Sequence, residues 1–161
     1  MDSEERDREL GQPGARQLLE SAQLVRLAYN GPDGRPRVIP IGFLWTGTEV
    51  VICTATTSPK ARALAARPDV ALTIDDGSTP QAARSLLIRG VATLDTVDGV
   101  PDEYLAAAGK AMDDDQLAEF ERQVRAVYQR MVRIRIAPQW VRFYDFGAGR
   151  LPSFLAELVA G

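Results

Sequence analysis

The chain has 161 residues, 45% apolar and 25% charged, with 22 acidic against 19 basic side chains and a formal net charge of -3. That length fits one domain with its own core, and the near-balanced charge gives no whole-molecule pull toward nucleic acid or an anionic membrane. One cysteine, Cys53, and no histidine exclude an internal disulfide, a thiolate metal cluster, Ser-His-Asp or Cys-His catalysis and His-ligated haem.

Residues 1–13 are highly charged, lack an apolar signal core and read as a mobile leader, leaving 14–161 as a single domain. No apolar run approaches the ~20 residues that span a bilayer, so a soluble, cytoplasmic protein is expected. A short helix over Ala15 to Ser21 can turn Leu18 and Leu19 inward. Leu24 to Tyr29 reads as a strand, and Asn30-Gly31-Pro32-Asp33-Gly34 as a hairpin loop. The next strand, Arg37 to Trp45, ends at the turn Thr46 to Glu49, and Val50 to Thr54 returns as its antiparallel partner. Within it Pro40 cannot donate to a ladder and Gly42 admits close approach. An edge strand, a bulge and a flat ligand against the backbone all account for that pair.

A helix is expected from Pro59 to Ala66, with Ser58 as N-cap and Pro59 at the first helical position. Its forward-pointing N–H groups, the hydroxyls of Thr54 and Ser58 and the ammonium of Lys60 make a ready phosphate site. A capped helix with a solvated Lys is the simpler alternative. If the preceding hairpin pairs in simple register, Arg37 falls opposite the end of its partner and joins these groups around one anion. Cys53, on the same strand, reads as a buried, inert thiol.

Val70 to Asp75 is the next strand, and the loop Asp76 to Pro80 leads into a long one, Ser85 to Thr96. Helices follow over Pro101 to Gly109 and Gln116 to Arg130, the second marked by Leu117, Phe120, Val124, Val127, Tyr128 and Met131. Asp113-Asp114-Asp115 suits the start of that helix better than a metal site. Val132 to Ile136 and Trp140 to Phe146 read as two strands parted by Ala137-Pro138-Gln139. Arg133, Arg135 and Arg142 alternate with apolar residues there, as the wet face of a strand or as a basic rim for an anionic ligand. Trp45, Trp140 and Tyr144 read as core or interface. Gly147-Ala148-Gly149-Arg150 lacks the downstream βαβ unit a dinucleotide loop needs. The fold class is mainly β (α+β): an antiparallel barrel, closed or partly closed, with peripheral helices.

The order Arg37-Val38-Ile39-Pro40-Ile41, Cys53-Thr54, Ser58-Pro59-Lys60-Ala61-Arg62-Ala63-Leu64, Pro68-Asp69-Val70-Ala71-Leu72 and Arg89-Gly90-Val91-Ala92 resembles the pyridoxamine 5'-phosphate oxidase-like superfamily of split β-barrels, flavin and deazaflavin F420 oxidoreductases. The resemblance covers Gln17 to Phe146. It implies that Val38, Ile39, Pro40 and Ile41 lay their backbone against a flavin ring, that Arg37 reaches the phosphate, and that Cys53, Thr54, Ser58 and Lys60 complete the phosphate end. Arg62, Arg133, Arg135 and Arg142 would suit the acidic tail of F420, and Ser85 would lie near the ring. A homodimer with the cofactor at the subunit interface is implied as well. Three departures mark the chain: Gly42 stands where true pyridoxamine phosphate oxidases have Lys, Pro59 stands where Arg usually precedes the phosphate Lys, and the substrate-holding His is missing.

The expectation is a dimeric oxidoreductase that binds FMN, or alternatively F420, and acts on a small molecule other than pyridoxamine phosphate. A flavin-binding protein without turnover is the alternative from a different class. No side chain is assigned as catalytic acid or base, and no metal, nucleic-acid or membrane partner is expected.

Overall fold

A computed structural model describes residues 1–160. In chain order the elements are α1 (Ser3–Leu10), α2 (Pro13–Ser21), β1 (Leu24–Asn30), β2 (Pro36–Gly42), β3 (Leu44–Trp45), β4 (Val50–Ala55), α3 (Pro59–Ala66), β5 (Asp69–Asp76), β6 (Arg84–Asp98), α4 (Asp102–Gly109), α5 (Asp114–Val127), β7 (Arg130–Asp145) and α6 (Ser153–Val159), with a single 3₁₀ turn at Pro80–Ala82. The strands form one sheet in the order β2-β1-β5-β6-β7-β4-β3, and every pairing is antiparallel. Because β2 runs through Phe43 directly into β3, the two ends of this sheet are one continuous stretch of chain, and the sheet is rolled into a barrel. The closure is partial. Only Leu44 and Trp45 pair with β4, while all seven residues of β2 pair with β1. Beyond that two-residue stitch β2 and β4 part, which is the split.

β4 is buried on both faces, as its β-branched run requires. Val50 and Ile52 point into the barrel core with Leu27, Phe43, Leu86, Ile134 and Val141, while Val51 and Cys53 point outward into a second cluster with Val100, Val124 and Met131. α4 and α5 cover that outer face. The capping box of α5, in which Asp113 accepts from Gln116 N–H and Gln116 accepts from Asp113 N–H, starts the helix where the acidic run predicts. The helix stops at Val127 rather than Arg130, which already belongs to β7.

The two expected C-terminal strands are one. β6 and β7 pair from Asp98↔Arg130 to Arg84↔Asp145, with a register shift where Arg89 faces Trp140 and Gly90 faces Pro138. Gln139 is the extra residue of a bulge. Before it the even residues Val132, Ile134 and Ile136 point into the barrel; after it the odd residues Val141 and Phe143 do. The bulge therefore lets a sixteen-residue strand keep one face buried around the bend of the barrel.

The N-terminal segment is the clearest departure from expectation. Instead of a mobile leader, residues 3–10 form α1, capped by Asp2 and laid along β7. β4 pairs with β7 only from Met131 to Ile136, so the outer edge of the second half of β7 has no strand beside it. There Val141 N–H donates to Met1 Sδ at 3.2 Å and Phe143 N–H to Glu9 Oε2 at 2.8 Å. Glu9 also takes Arg150 at 2.8 Å, and Glu5 takes Arg142 at 2.7 Å. The charges that made the segment look solvated satisfy an open strand edge. Among the described residues no helix is long and apolar enough to cross a membrane.

Candidate functional site: the cleft in the split

A cleft of about 440 Å³ opens where β2 and β4 part, within the range of small-molecule sites. One wall is the start of β1 and the end of β2, with Leu24, Ile41 and Gly42; the other is Val51, Cys53, Thr54 and Ala55 of β4. α4 contributes Tyr104, Ala107 and Ala108, and α5 with its C-cap contributes Phe120 and Tyr128. Glu103 is the one charged residue in the lining, and no Lys or Arg is among the residues that line it. Gly42 faces open space. A Cβ built there meets nothing nearer than Gln23 O at 3.9 Å, so nothing within the chain requires a glycine at this place. β2 is also the end of the sheet, and one of its edges has no strand partner.

The Thr54–Ala55 end of the cleft leads to the start of α3. Ser58 N–H closes a turn on Ala55 O at 3.0 Å, which brings the helix round within three residues. Ser58 is the N-cap and Pro59 follows it, but the Ser58 hydroxyl does not cap the helix. It accepts instead from Lys60 Nζ at 3.0 Å. Burial pulls Lys60 below its ordinary value because desolvation disfavours the ammonium, a cost that an anion bound beside it would offset. Thr54 is 8% exposed, a buried polar residue on a strand of apolar ones. Cys53 is free and buried, and burial, with the Glu103 carboxylate nearby, pushes its thiol up to about 12, so it lines the cleft as an unreactive wall.

Arg37 is not at this site. Because β2 takes its whole length of partners from β1, Arg37 faces Tyr29, and its guanidinium pairs with Asp33 at 3.0 Å in its own hairpin. It makes no contact with Thr54, Ser58 or Lys60, and the expected four-way convergence does not form. Along β2, Ile41 lines the cleft, Ile39 packs against the core, Pro40 is exposed, and Val38 is 66% exposed. Arg62 is exposed on α3, and Ser85 lies at the start of β6 between Asp75 and Tyr144, outside the cleft lining. Arg133 and Arg135 point outward beside β4 but are occupied: Arg133 by Asp95 at 2.7 Å and Glu103 at 3.1 Å, Arg135 by Asp95 at 3.5 Å and Glu49 at 3.9 Å. They form no free basic rim.

Lys110, just past α4, was not legible as a site residue. Its Nζ donates to Ala22 O at 3.0 Å and Phe43 O at 2.7 Å and lies 3.8 Å from the Phe43 ring centre. It therefore ties the end of α4 to both the α2–β1 and the β2–β3 junctions, the backbone behind the cleft. Burial draws this group from 10.5 down to about 8. A neutral amine still has two N–H groups for the two carbonyls, so the contacts outlast deprotonation. The folded chain thus binds less proton here than the unfolded chain between pH 8 and 10.5, and the stability contributed at this position rises with pH across that window. Lys110→Met should remove the rise. Urea unfolding at both ends of the window tests this, and parallel pH slopes for variant and wild type would disprove it.

A family model described as pyridoxamine 5'-phosphate oxidase matches residues 12–145. The chain belongs to the pyridoxamine 5'-phosphate oxidase family. No curated protein matches it. Among solved structures it is similar to conserved hypothetical protein Rv2991 from Mycobacterium tuberculosis, at 21% identity over 94% of this chain and 89% of that one with a TM-score of 0.62. It is also similar to an F420 reductase, at 26% identity over 78% of this chain and 94% of that one with a TM-score of 0.59. HutZ, a heme storage protein from Vibrio cholerae, shares the fold at 19% identity, 81% and 92% coverage and a TM-score of 0.60. Proteins that share this fold thus carry names of different chemistries, and the cleft residues have to decide between them.

Proposed function

We propose that this family member is a homodimeric oxidoreductase that binds FMN, with its ring in the cleft along Ile41–Gly42 and its phosphate at Ser58, Lys60 and the first turn of α3. The observation that carries this reading is the course of the chain at the end of the split: the lining stops at Thr54 and Ala55, and the turn closed on Ala55 brings a hydroxyl, a partly buried ammonium and the first N–H groups of α3 just beyond them. The open space at Gly42 and the free edge of β2 fit a flat ring with polar edges. When bound, the flavin would supply the hydride chemistry; the chain holds and orients it and keeps water from one face. Gly42 and the missing His argue against pyridoxamine phosphate as substrate.

F420 in place of FMN is the second reading, favoured by the 26% identity to an F420 reductase. A flavin carrier without turnover shares the same site. Titrating the purified protein with FMN, riboflavin and F420 separates these. Lys60→Ala should weaken FMN at least about tenfold, the worth of a charge-assisted contact, and leave riboflavin, which has no phosphate, unchanged. Equal loss for both would remove Lys60 from the phosphate site, and no binding of FMN or F420 at high micromolar concentration would end the proposal. Tight binding without reduction of any quinone or enone would favour the carrier.

A further inference from the structure

We propose that the α4–α5 side of the cleft is a site for an organic cation, so that the molecule brought against the cofactor carries a quaternary or protonated amine on an apolar body. This deepens the reading above by naming a substrate class, and it rests on that reading only in taking the cleft as a ligand site. Two independent features point to it. The first is charge. Glu103 is the only ionisable carboxylate or cation among the lining residues. Behind it three carboxylates, Glu103, Asp95 and Glu49, share two guanidiniums, Arg133 and Arg135, leaving one net negative charge on this wall. Arg133 gives two hydrogen bonds to Asp95 and one to Glu103, through Oε1 alone. Glu103 thus keeps its Oε2 free of hydrogen bonds, and it is the one carboxylate of this group that lines the cleft; Glu49, held only by a 3.9 Å ion pair to Arg135, and Asp95 lie outside the lining.

The second feature is aromatic. Tyr104, next to Glu103, has its ring 5.7 Å from that of Phe120 and 6.4 Å, edge-on, from that of Tyr128. All three rings line the cleft. Ring faces carry negative quadrupole potential, and several of them around an apolar space with a carboxylate at its rim recognise ammonium groups. Neither neighbouring cation lines the cleft: Arg133, 3.1 Å from Glu103, is shared with Asp95, and the charge of Lys110 is held by two carbonyls and the Phe43 ring. Lys60 stands at the other end, beyond Ala55. The cleft is thus electrically divided. An anion is drawn to the α3 end and a cation to the α4–α5 end, which suits a phosphate-bearing cofactor and a cationic substrate lying side by side.

The probes are benzyltrimethylammonium, its neutral isostere neopentylbenzene, and the anion benzylsulfonate. Binding to the full-length protein is followed by the ring NMR signals of Tyr104 and Tyr128. The cation should bind about tenfold or more tightly than either other probe, in keeping with desolvated cation–π and carboxylate contacts. Glu103→Gln should erase most of that preference while leaving neopentylbenzene unchanged. Since Glu103→Gln also loosens Arg133, Tyr128→Leu serves as the second variant, with Tyr104 as its reporter; it should weaken the cation more than the isostere. Benzylsulfonate or neopentylbenzene binding as well as the cation would overturn the proposal. A preference that survives both variants, or Tyr104 and Tyr128 signals unmoved by any probe, would overturn it equally. A parallel FMN titration separates the two readings: FMN binding without a cation preference sinks only the substrate class, and a cation preference without FMN binding sinks only the cofactor.

Discussion

Gly90→Val should destabilise the fold by about 3 kcal/mol, a large part of the ~5–15 kcal/mol that holds a domain of this kind. Gly90 sits on β6 at the bulge, opposite Pro138. A Cβ there falls 2.6 Å from Ala137 O and 3.0 Å from Ile136 Cγ2. The first of these is a backbone atom in the longest strand pair of the molecule, so no side-chain rotation relieves it. The strands must separate locally, and Ile136, fully buried, must shift in the barrel core. Losing glycine also restricts the unfolded chain, which returns roughly 0.4–1 kcal/mol and does not reverse the sign. The urea midpoint should fall accordingly. A loss under about 1 kcal/mol would show that the bulge yields more easily than the contact distances imply.

The same bulge shows why some of the architecture was legible in the sequence and some was not. Hydrophobic alternation depends on parity, and it located Val132 to Ile136 and, but for Phe146 in the turn beyond the strand, Trp140 to Phe146. Parity changes at Gln139, and a one-residue slip looks the same in the sequence as a break between strands. Register between strands is similarly silent. Arg37 and Lys60 were brought together by supposing a simple hairpin across Thr46 to Glu49, yet the β-branched and apolar residues of β2 match β1 equally well, and the three-dimensional closure of the barrel chose β1. The helix start at Ser58 and the α5 cap at Asp113 depend on neighbours in sequence, and both were legible. Glu9 and Lys110 act on groups more than sixty residues away, Phe143 and Phe43, and their composition alone reads as solvated charge. Tyr104, Phe120 and Tyr128 follow ordinary helical spacing; only the packing of α4 on α5 gathers the rings on one side of a cleft.

That packing also gives the most direct test of where a ring binds. α4 presents Ala107 and Ala108 to the cleft, and side chains this small leave the gap between the helix and β4 unfilled. Ala108→Phe adds a ring to that gap. The substitution is mild for the helix, since phenylalanine costs only a few tenths to ~0.7 kcal/mol relative to alanine in a helix interior, and Ala108 is only half-buried, so the thermal midpoint should move by no more than a few degrees. Binding should respond far more strongly. FMN and riboflavin should both weaken about a hundredfold, because each would have to expel or share space with the new ring. This differs from Lys60→Ala, which removes a phosphate contact and should spare riboflavin. Benzyltrimethylammonium should lose affinity too, since its site shares the same roof. Flavin fluorescence titration of both variants gives a two-by-two pattern in which ring and phosphate ends separate. If Ala108→Phe leaves riboflavin affinity unchanged in a folded protein, the ring does not lie between β4 and α4, and the cleft has to be assigned to substrate alone.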